Sequence, residues 1–238
     1  MRHIFVLIGK SSVGKTTIAK RVIEDKSLGL LTPRGATTRA PRRKEKVGID
    51  YDFIDLEVFK RCEDSHFFLE TITYKGHRYG FLKDRIESGI ASIKDLLIIL
   101  TTEGYRSFKA FFKDRPDATV TPIIIHPPSE EERLENLKRR GSEANEDDEI
   151  DVTGYNGWSV CNYDLETSVR QLKKIIKEVR SIMSNKGRID LRSVARISKE
   201  NKIRIEIERE GTIYRFEPFK TRGEKAKVAD DGLNPLGL

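Results

Sequence analysis

The chain has 238 residues and a formal net charge of +7 at pH 7, and 37% of its residues are hydrophobic while 35% are charged. This composition is typical of a highly charged globular protein, and the length suits one domain or one domain with an appendage. The sequence contains no apolar run of about 18 residues, as a membrane-spanning helix requires, and its short apolar start is unlike a secretory signal. We therefore expect a cytoplasmic protein with no membrane partner.

The two cysteines and the positive charge say little about function. Cys62 and Cys161 show neither CxxC spacing nor a surrounding His/Cys cluster, so the sequence predicts neither a zinc site nor a disulfide framework. The positive charge is compatible with nucleic-acid binding and equally with a site that holds several phosphates.

Short apolar runs alternate with helix-like segments in the first half of the chain. His3–Ile8 predicts a strand buried on both faces, and Thr16–Ile23 has apolar residues at helical spacing. Two further apolar runs, Leu96–Leu100 and Val120–Ile125, follow helix-like segments, which indicates a parallel sheet with helical crossovers. Pro122 suits the start or the edge of a strand, so we expect the last of these strands to begin a residue or two later. The predicted core is α/β.

Two more helices are predicted beyond these strands. Glu130–Arg140 is a highly charged segment, and Asp164–Ser184 carries apolar residues along one face, so that it can pack onto the sheet. The acidic segment Gly141–Ile150 lies between them and has almost no apolar residue. It predicts a surface loop, with a functional lid as the alternative.

The composition changes after residue 184, which predicts a domain over 1–184 and a small α+β unit over 185–219. Within this unit, Lys202–Phe216 alternates apolar and charged residues on both sides of Glu210–Gly211, as in a β-hairpin. Residues 220–238 are poor in apolar residues and rich in Lys, Gly and Asp, so we expect a disordered tail.

The small C-terminal unit is also rich in positive charge. A nucleic acid is one possible partner for it, and the alternative is that its basic residues form the solvated faces of a helix and a hairpin. The basic residues concerned are Arg188, Arg192, Arg196, Lys199, Lys202 and Arg204.

The segment Gly9–Thr16 (GKSSVGKT) fits the phosphate-loop pattern G-x-x-x-x-G-K-[ST] between a predicted strand and a predicted helix. Such a loop directs backbone N–H groups and a helix N-terminus at nucleotide phosphates, while Lys15 supplies a positive charge and the Thr16 hydroxyl a ligand for Mg²⁺. A turn that only joins strand to helix would not explain Lys15 and Thr16 in register. The predicted ATP-binding residues are Gly9, Ser11, Ser12, Val13, Gly14, Lys15, Thr16 and Thr17.

The phosphate loop alone is compatible with an ATPase, a GTPase, a transporter or a kinase, and motifs further along the chain narrow this choice. They are Thr37–Arg42 (TTRAPR) with Glu45, Gly48, Tyr51 and Phe53, then Phe68–Glu70 (FLE), Gly76–Gly80 (GHRYG), Pro127–Ser129 (PPS) and Leu137–Gly141 (LKRRG). In order and spacing these motifs resemble those of guanylate kinases, over about residues 3–182.

This resemblance implies a three-layer P-loop core with a parallel sheet, and a small acceptor-binding insertion around Thr37–Gly80. The predicted helix and hairpin would be appended at the C-terminus. The implied activity is ATP-dependent phosphorylation of a nucleoside monophosphate, GMP or dGMP, with Mg²⁺ as cofactor. In the family, residues at the positions of Arg39, Arg42, Tyr51 and Tyr79 hold the acceptor phosphate, and a glutamate at the position of Glu70 accepts hydrogen bonds from guanine.

The resemblance also implies residues for the transfer step. Lys15 and an arginine from the segment that closes over ATP, either Arg139 or Arg140, would neutralise charge on the moving phosphoryl group, and Arg39 could contribute from the acceptor side. Taken singly, each of these residues has an ordinary structural explanation. Their joint register with the phosphate loop favours a site.

The chain departs from the family pattern at three places. Phe81 stands where a hydroxyl residue usually follows the Tyr-Gly pair and contacts the base. The D-x-D pair after the central strand is missing, and Thr101 or Glu103 could take its place at the acceptor. The lid segment, within Gly141–Asn162, is shorter than in the family.

These departures leave three functions open. The favoured function is a divergent nucleoside monophosphate kinase. The second is a related kinase that acts on a modified nucleotide or on a base within a nucleic acid, and the third is a non-catalytic module that binds a partner. The intact Lys15 and Thr16 argue against the third, because a non-catalytic module does not need this loop. The sequence indicates no oligomeric state.

Overall fold

The computed structural model describes residues 1–43, 45–139, 157–183, 191–201, 205–209 and 212–216. A five-stranded parallel sheet forms the centre of the molecule, with strand order β2-β7-β1-β8-β9. Its strands are β1 (Arg2–Ile8), β2 (Leu30–Leu31), β7 (Asp95–Ile99), β8 (Ala118–His126) and β9 (Trp158–Cys161). The helices that connect or flank them are α1 (Lys15–Ile23), α3 (Lys83–Ala91), α4 (Thr102–Phe111), α5 (Glu130–Arg139) and α6 (Leu165–Met183).

Strand β1 separates two apolar clusters, one on each face of the sheet. Phe5 and Leu7 pack with residues of α1 and α6, whereas Ile4, Val6 and Ile8 pack with residues of α3 and α4. Alternate side chains of a strand point to opposite faces, so the fully apolar run of β1 is explained by helices on both sides. The predicted three-layer α/β core is confirmed.

The predicted late start of this strand is wrong, whereas the expected edge position of Pro122 agrees with the strand pairing. Strand β8 begins at Ala118, and Pro122 lies inside it, opposite Val6 of β1. The neighbouring strand β9 pairs with β8 only from Ile123 onward. Among the described residues, no strand therefore pairs with that side of β8 at Pro122, and such an edge tolerates a residue without a backbone N–H.

The predicted insertion forms a second sheet of four strands in the order β4-β3-β6-β5. These strands are β3 (Gly35–Thr37), β4 (Tyr51–Phe53), β5 (Phe68–Tyr74) and β6 (His77–Leu82), and helix α2 (Leu56–Asp64) contributes Phe59 to a small core with Ala36 and Phe68. Strands β5 and β6 are joined by a two-residue turn, in which Lys75 and Gly76 have φ of 49° and 75°. Two consecutive positive φ angles match the twist of a hairpin, so this tip holds β5 and β6 in a defined register.

After α6 the structure contains helix α7 (Leu191–Asn201) and the antiparallel strands β10 (Ile205–Arg209) and β11 (Thr212–Phe216). Val194 and Ile197 of α7 and Ile205 of β10 belong to the apolar cluster that Phe5 and Leu7 form with α1 and α6. The turn at Glu210–Gly211 and the predicted tail at 220–238 lie outside the described residues, so the proposed domain limits stay a prediction. Within the described part of the chain, no helix combines the length and the apolar character that crossing a membrane demands.

Candidate active site

The phosphate loop has a backbone that only particular residues fit. Gly14 has φ of 93°, a region that side chains other than glycine rarely adopt. A Cβ on Gly9 would lie 2.5 Å from the carbonyl oxygen of Ile125, and one on Gly14 would lie 2.4 Å from Nδ2 of Asn162. Gly9 is therefore required by its close approach to the backbone of β8, and Gly14 chiefly by its positive φ.

Lys15, the first residue of α1, folds back over the loop. Its ammonium group donates hydrogen bonds to the carbonyl oxygens of Gly9 and Lys10. These bonds hold the positive charge at the mouth of the loop, beside the N-terminus of α1, where phosphate groups are favoured. Thr16 and Thr17 follow in the first turn of α1 and are exposed.

The residues at this loop fit a magnesium ion bound together with a nucleotide. The exposed hydroxyl of Thr16 is an oxygen donor at the end of the loop, and Mg²⁺ usually keeps several waters and takes phosphate oxygens with only one or two protein ligands. Among the described residues, no group of three or more His, Cys, Asp or Glu side chains could hold a metal without a nucleotide.

Asn162 supports the loop from behind, a role that the sequence analysis missed. Its Nδ2 donates to the carbonyl oxygen of Val13 at 2.9 Å, and its Oδ1 accepts from the hydroxyl of Ser168 at 2.8 Å. Its own N–H donates to the carbonyl oxygen of His126 at the end of β8. One sequence signal could have indicated this role: Val160–Tyr163 (VCNY) loosely resembles the V-N-D stretch that follows the lid in guanylate kinases.

Arg133 of α5 is a second residue that sequence reasoning missed. It is only 4% exposed, and its guanidinium donates to Oε1 of Glu130 at 2.9 Å and to the carbonyl oxygen of Ser11 at 3.4 Å. Lys10 lies 3.8 Å from the same Glu130 oxygen. A buried guanidinium on a charged helix thus touches the backbone of the phosphate loop.

Arg139, one of the two predicted catalytic arginines, lies at the other end of the same helix. The side chain of Arg139 is 73% exposed and pairs with Glu135 one turn earlier, at 3.2 Å. Arg140 is outside the described residues. The catalytic role of both arginines stays a prediction.

Strand pairing brings three of the predicted acceptor-binding residues, Tyr51, Glu70 and Tyr79, to one face of the insertion sheet. Tyr79 lies opposite Ile72 on β5 and opposite Thr37 on β3, and residues two apart on a strand share a face. This face, which we call the acceptor face, contains Thr37, Tyr51, Phe53, Glu70, Ile72, Tyr74, Tyr79 and Phe81. The rings of Tyr51, Tyr74 and Tyr79 confirm the arrangement, because Tyr79 lies within 6.2 Å of Tyr51 and 6.5 Å of Tyr74 between ring centroids.

Arg39 lies over this face and is already fully engaged. Its guanidinium forms a two-pronged pair with Glu45 at 2.9 and 3.0 Å, and its Nε donates to the hydroxyl of Tyr79 at 3.2 Å. It also stands 5.8 Å from the centre of the Tyr51 ring. Burial raises the pKa of Glu45, but hydrogen bonds from Arg39 and from the backbone N–H of Arg42 outweigh it and leave that pKa below its ordinary value.

The hydroxyl group of Tyr51, beside Arg39, remains neutral. Burial raises the pKa of Tyr51 above its ordinary value, so its hydroxyl is a hydrogen-bond donor at neutral pH. Arg42 follows three residues after Arg39 in the exposed connection before β4. Arg42 can therefore turn towards an incoming phosphate, whereas Arg39 would first have to leave Glu45.

Glu70 is a buried carboxyl group on β5. It is 8% exposed, its Oε2 atom has no hydrogen-bond partner among the residues that the structure describes, and burial raises its pKa to about 7. Phe81 lies directly across from it on β6 and makes an edge contact with Phe108 at 6.1 Å. An unpartnered buried acceptor beside an aromatic surface is suited to a flat ligand that donates hydrogen bonds.

The two residues proposed in place of the D-x-D pair have other contacts. The Thr101 hydroxyl caps α4 by accepting the N–H of Gly104 at 3.1 Å. The side chain of Glu103 is 68% exposed and lies 3.6 Å from Arg106. The acceptor-side role of Thr101 and Glu103 stays a prediction.

The two halves of the site touch each other. The hydroxyls of Ser11 in the phosphate loop and Tyr74 at the end of β5 are 2.5 Å apart. Lys20 of α1 pairs with Asp50, just before β4, at 2.6 Å. The phosphate loop and the acceptor face therefore adjoin and can serve one reaction.

Comparison with known proteins agrees with this geometry. A guanylate kinase from Porphyromonas gingivalis is 31% identical over 188 residues, which cover 75% of this chain and 98% of that protein. A guanylate kinase from Mycoplasma genitalium is 31% identical over 187 residues, which cover 76% of this chain and 75% of that protein. The crystal structure of guanylate kinase from Anaplasma phagocytophilum matches with a TM-score of 0.61 at 23% identity, covering 82% of this chain and 94% of that chain, and supports the fold. The sequence model of the guanylate kinase family matches residues 1–186, and the chain belongs to this family.

Proposed function

We propose that this chain transfers the terminal phosphoryl group of ATP to GMP or dGMP. The observation that supports this best is the placement of Glu70 and Tyr74 on one face of β5, with Tyr74 in contact with Ser11 of the phosphate loop. Four residues of strand span about 13 Å. A nucleoside monophosphate that lies along β5 with its base at Glu70 would extend its phosphate towards the loop.

Glu70 would select the base. Guanine presents two N–H donors, at N1 and at the 2-amino group, and a carboxylate accepts both. Adenine presents an unprotonated N1 at the same place, which would face the carboxylate as an acceptor against an acceptor. An unpaired buried polar group costs about 1–3 kcal/mol, so Glu70 favours guanine over adenine.

The acceptor phosphate would be held by the hydroxyls of Tyr51 and Tyr79 on the acceptor face and by Arg42. Tyr79 is oriented for this by the Nε of Arg39, and Tyr51 supplies a neutral donor. Arginine and hydroxyl donors suit a phosphate dianion because they offer several directed hydrogen bonds. The acceptor oxygen would then point at the ATP phosphate in the loop.

Transfer itself requires mainly alignment and charge neutralisation. Lys15 and the backbone N–H groups of the loop would hold the β- and γ-phosphates, as the helix N-terminus favours. Thr16 is the residue that would hold Mg²⁺, and the ion supplies positive charge to the phosphates when it is bound. No covalent intermediate on the protein is needed for a direct in-line displacement.

The test is ADP formation from Mg·ATP in the presence of each nucleoside monophosphate in turn, with Lys15→Ala as the blank. We expect GMP and dGMP to stimulate turnover well above AMP, CMP and UMP, and Lys15→Ala to abolish it. Equal stimulation by all five nucleotides, or none by any, would reject this function.

Phe81 favours one alternative, a kinase for a modified purine nucleotide or for a base within a nucleic acid. An aromatic ring beside Glu70 offers no hydrogen bond to the rest of the base, and it leaves room for recognition by stacking. If free GMP fails to stimulate turnover while ATP still binds, modified guanine nucleotides and short oligonucleotides are the next acceptors to test. Partner binding without turnover would support the non-catalytic alternative.

A nucleic-acid role for the C-terminal unit also stays a proposal. Arg196 and Lys199 are exposed on α7, whereas Arg188, Lys202, Arg204 and the side chain of Arg192 lie outside what the structure describes. Full-length protein should then bind single-stranded nucleic acid in a salt-dependent way. Equal binding by an Arg196→Gln, Lys199→Gln variant would remove the support for this role.

A further inference from the structure

Tyr74 is placed at the junction between the donor and acceptor halves of the site. It ends strand β5, immediately before the turn at Lys75 and Gly76. Its hydroxyl lies 2.5 Å from the hydroxyl of Ser11, a residue 63 positions earlier in the chain. Through this one contact the tip of the acceptor sheet meets the phosphate loop.

The aromatic ring of Tyr74 is held by its neighbours on the acceptor side. Its centroid is 6.5 Å from that of Tyr79, in an edge arrangement, and the Lys75 ammonium lies 5.6 Å from the ring. The hydroxyl is therefore presented by a supported ring. This differs from a loosely attached surface tyrosine.

Ser11 is held from the donor side. Its carbonyl oxygen accepts from the buried guanidinium of Arg133, and its neighbour Ser12 has φ of 66°. The hydroxyl of Ser11 is left to face the acceptor sheet. A hydroxyl can both donate and accept, so either Ser11 or Tyr74 can be the donor in this pair.

We infer that Tyr74 is a positioning residue, which sets the distance between the acceptor face and the phosphate loop by its hydrogen bond to Ser11. This role rests on the proposed function. Phosphoryl transfer between two bound nucleotides depends on the relative position of the two phosphate sites, and a displacement of about 1 Å can lower the rate about 100-fold. Tyr79 and Arg42 would bind the acceptor phosphate, while Tyr74 keeps that assembly in register with the ATP site.

The inference predicts a change in kcat with little change in substrate binding. The Tyr74 hydroxyl is hydrogen-bonded to Ser11, so each nucleotide should keep its own contacts when this hydroxyl is removed. What is lost is their mutual alignment. We expect Tyr74→Phe to lower kcat about 3- to 10-fold, the range of one neutral hydrogen bond, with KM for ATP and GMP within twofold of wild type.

A double-mutant cycle tests the inference. We would measure kcat and both KM values for wild type, Tyr74→Phe, Ser11→Ala and the combined variant, in the full-length protein. Tyr163→Phe is a matched control, because it removes a tyrosine hydroxyl from a residue that is 72% exposed. The combined variant should lose no more of kcat than the more impaired single variant, since both substitutions remove the same bond.

The other possible results of these measurements lead to different conclusions. Multiplying losses in the combined variant, or a wild-type kcat in Tyr74→Phe, would overturn the role of Tyr74 while the proposed function stands. A rise in KM for GMP alone would show that Tyr74 binds substrate directly, which also overturns a positioning role. A wild-type protein that GMP does not stimulate would reject the proposed function and this role together.

Discussion

The carboxyl group of Glu70 on β5 lies against Gly104 in the first turn of α4. A Cβ built on Gly104 would be 3.2 Å from Oε2 of Glu70, the oxygen that lacks a partner among the described residues. Helix α4 packs on β5 at this point, so the base-binding carboxyl is enclosed by a neighbour that has no side chain. Because Gly104 has no side chain, it leaves space beside Oε2 of Glu70, while burial raises the pKa of this carboxyl group.

Glu70→Gln should therefore abolish the preference for guanine. The amide would oppose one N–H of guanine with its own NH₂ group, and hydrogen bonds to a charged acceptor are worth about 1.5–3 kcal/mol each. We expect kcat/KM for GMP to fall about 100-fold or more, with KM for ATP nearly unchanged. Steady-state kinetics with both substrates varied measure this, and Glu57→Gln, at an exposed position of α2, is the control. An equal loss with AMP would mean that Glu70 has only a structural role.

The affinity for GMP should also depend on pH. The pKa of Glu70 is raised to about 7 by burial, and only the ionised carboxylate accepts both guanine N–H groups. KM for GMP should thus rise about tenfold for each pH unit below 7 and level off above it. The phosphate of GMP titrates near pH 6 as well. Glu70→Gln retains that titration, so the difference between the two profiles isolates Glu70, and identical profiles would contradict the prediction.

Glu70 should cost the unliganded protein stability at high pH. Its pKa in the folded protein, about 7, lies above the ordinary value of 4.5, so the folded state holds the proton more tightly. The associated stability is fully present below pH 4.5 and is lost as pH rises through 7, by about 3 kcal/mol. Glu70→Gln should consequently raise the free energy of unfolding at pH 8.5 relative to wild type and much less at pH 5. Denaturant unfolding at both pH values measures this, and an equal effect at the two would count against it.

Glu45 should affect the binding of the acceptor nucleotide, because it fixes the position of Arg39. It holds Arg39 by two hydrogen bonds, and Arg39 in turn orients Tyr79. Glu45→Gln removes the charge that fixes the guanidinium, so we expect KM for GMP to rise about tenfold while KM for ATP stays within twofold. Glu24→Gln, which weakens an exposed pair with Arg21, is the control. A lower KM for GMP would indicate instead that Glu45 withholds Arg39 from the phosphate.

The contiguous features of the chain were predictable from sequence, and the long-range ones were not. The phosphate loop, its strand and its helix follow one another in the chain, so the local pattern was enough to predict all three. The alternation of apolar and charged residues around Glu210–Gly211 likewise predicted the strands on either side. Asn162 reaches Val13 across 149 positions, and Arg133 reaches Ser11 across 122. Nothing in the local sequence of α5 distinguishes a buried arginine from the exposed ones beside it.

Pro122 shows the same limit for strands. Whether a strand position is central or at an edge depends on its neighbours, and β9 was not anticipated. The family motifs did supply long-range information, since they brought Arg39, Tyr51, Glu70 and Tyr79 into one site, which strand pairing places on or over one face. They could not reveal Tyr74, which lies between two motifs and belongs to neither.

The phosphate loop holds Ser12 in a conformation that favours glycine. Its φ of 66° is in the left-handed region, which costs a residue with a Cβ about 1 kcal/mol. Ser12→Gly should raise the free energy of unfolding by about 0.5 kcal/mol, because relief of strain exceeds the entropy that glycine adds to the unfolded chain. Ser88→Gly, at an exposed position in α3, should lower it by about 0.5 kcal/mol. Chemical denaturation compares the two, and a loss of stability in both would contradict the assignment of strain to Ser12.

Arg133 should act on the ATP side of the reaction through the backbone of Ser11. Its buried guanidinium joins Glu130 to the carbonyl oxygen of Ser11, so Arg133→Gln should loosen the phosphate loop and raise KM for ATP about 5- to 10-fold, leaving KM for GMP within twofold. Lys138→Gln removes an exposed charge from the same helix and is the matched control. Arg139→Gln, measured in parallel, tests the arginine that the family resemblance favours. A normal KM for ATP in Arg133→Gln together with a reduced kcat in Arg139→Gln would mean that Arg133 only packs α5 onto the loop. A raised KM for ATP in Arg133→Gln together with a normal kcat in Arg139→Gln would assign ATP binding to Arg133, the arginine that the sequence did not reveal.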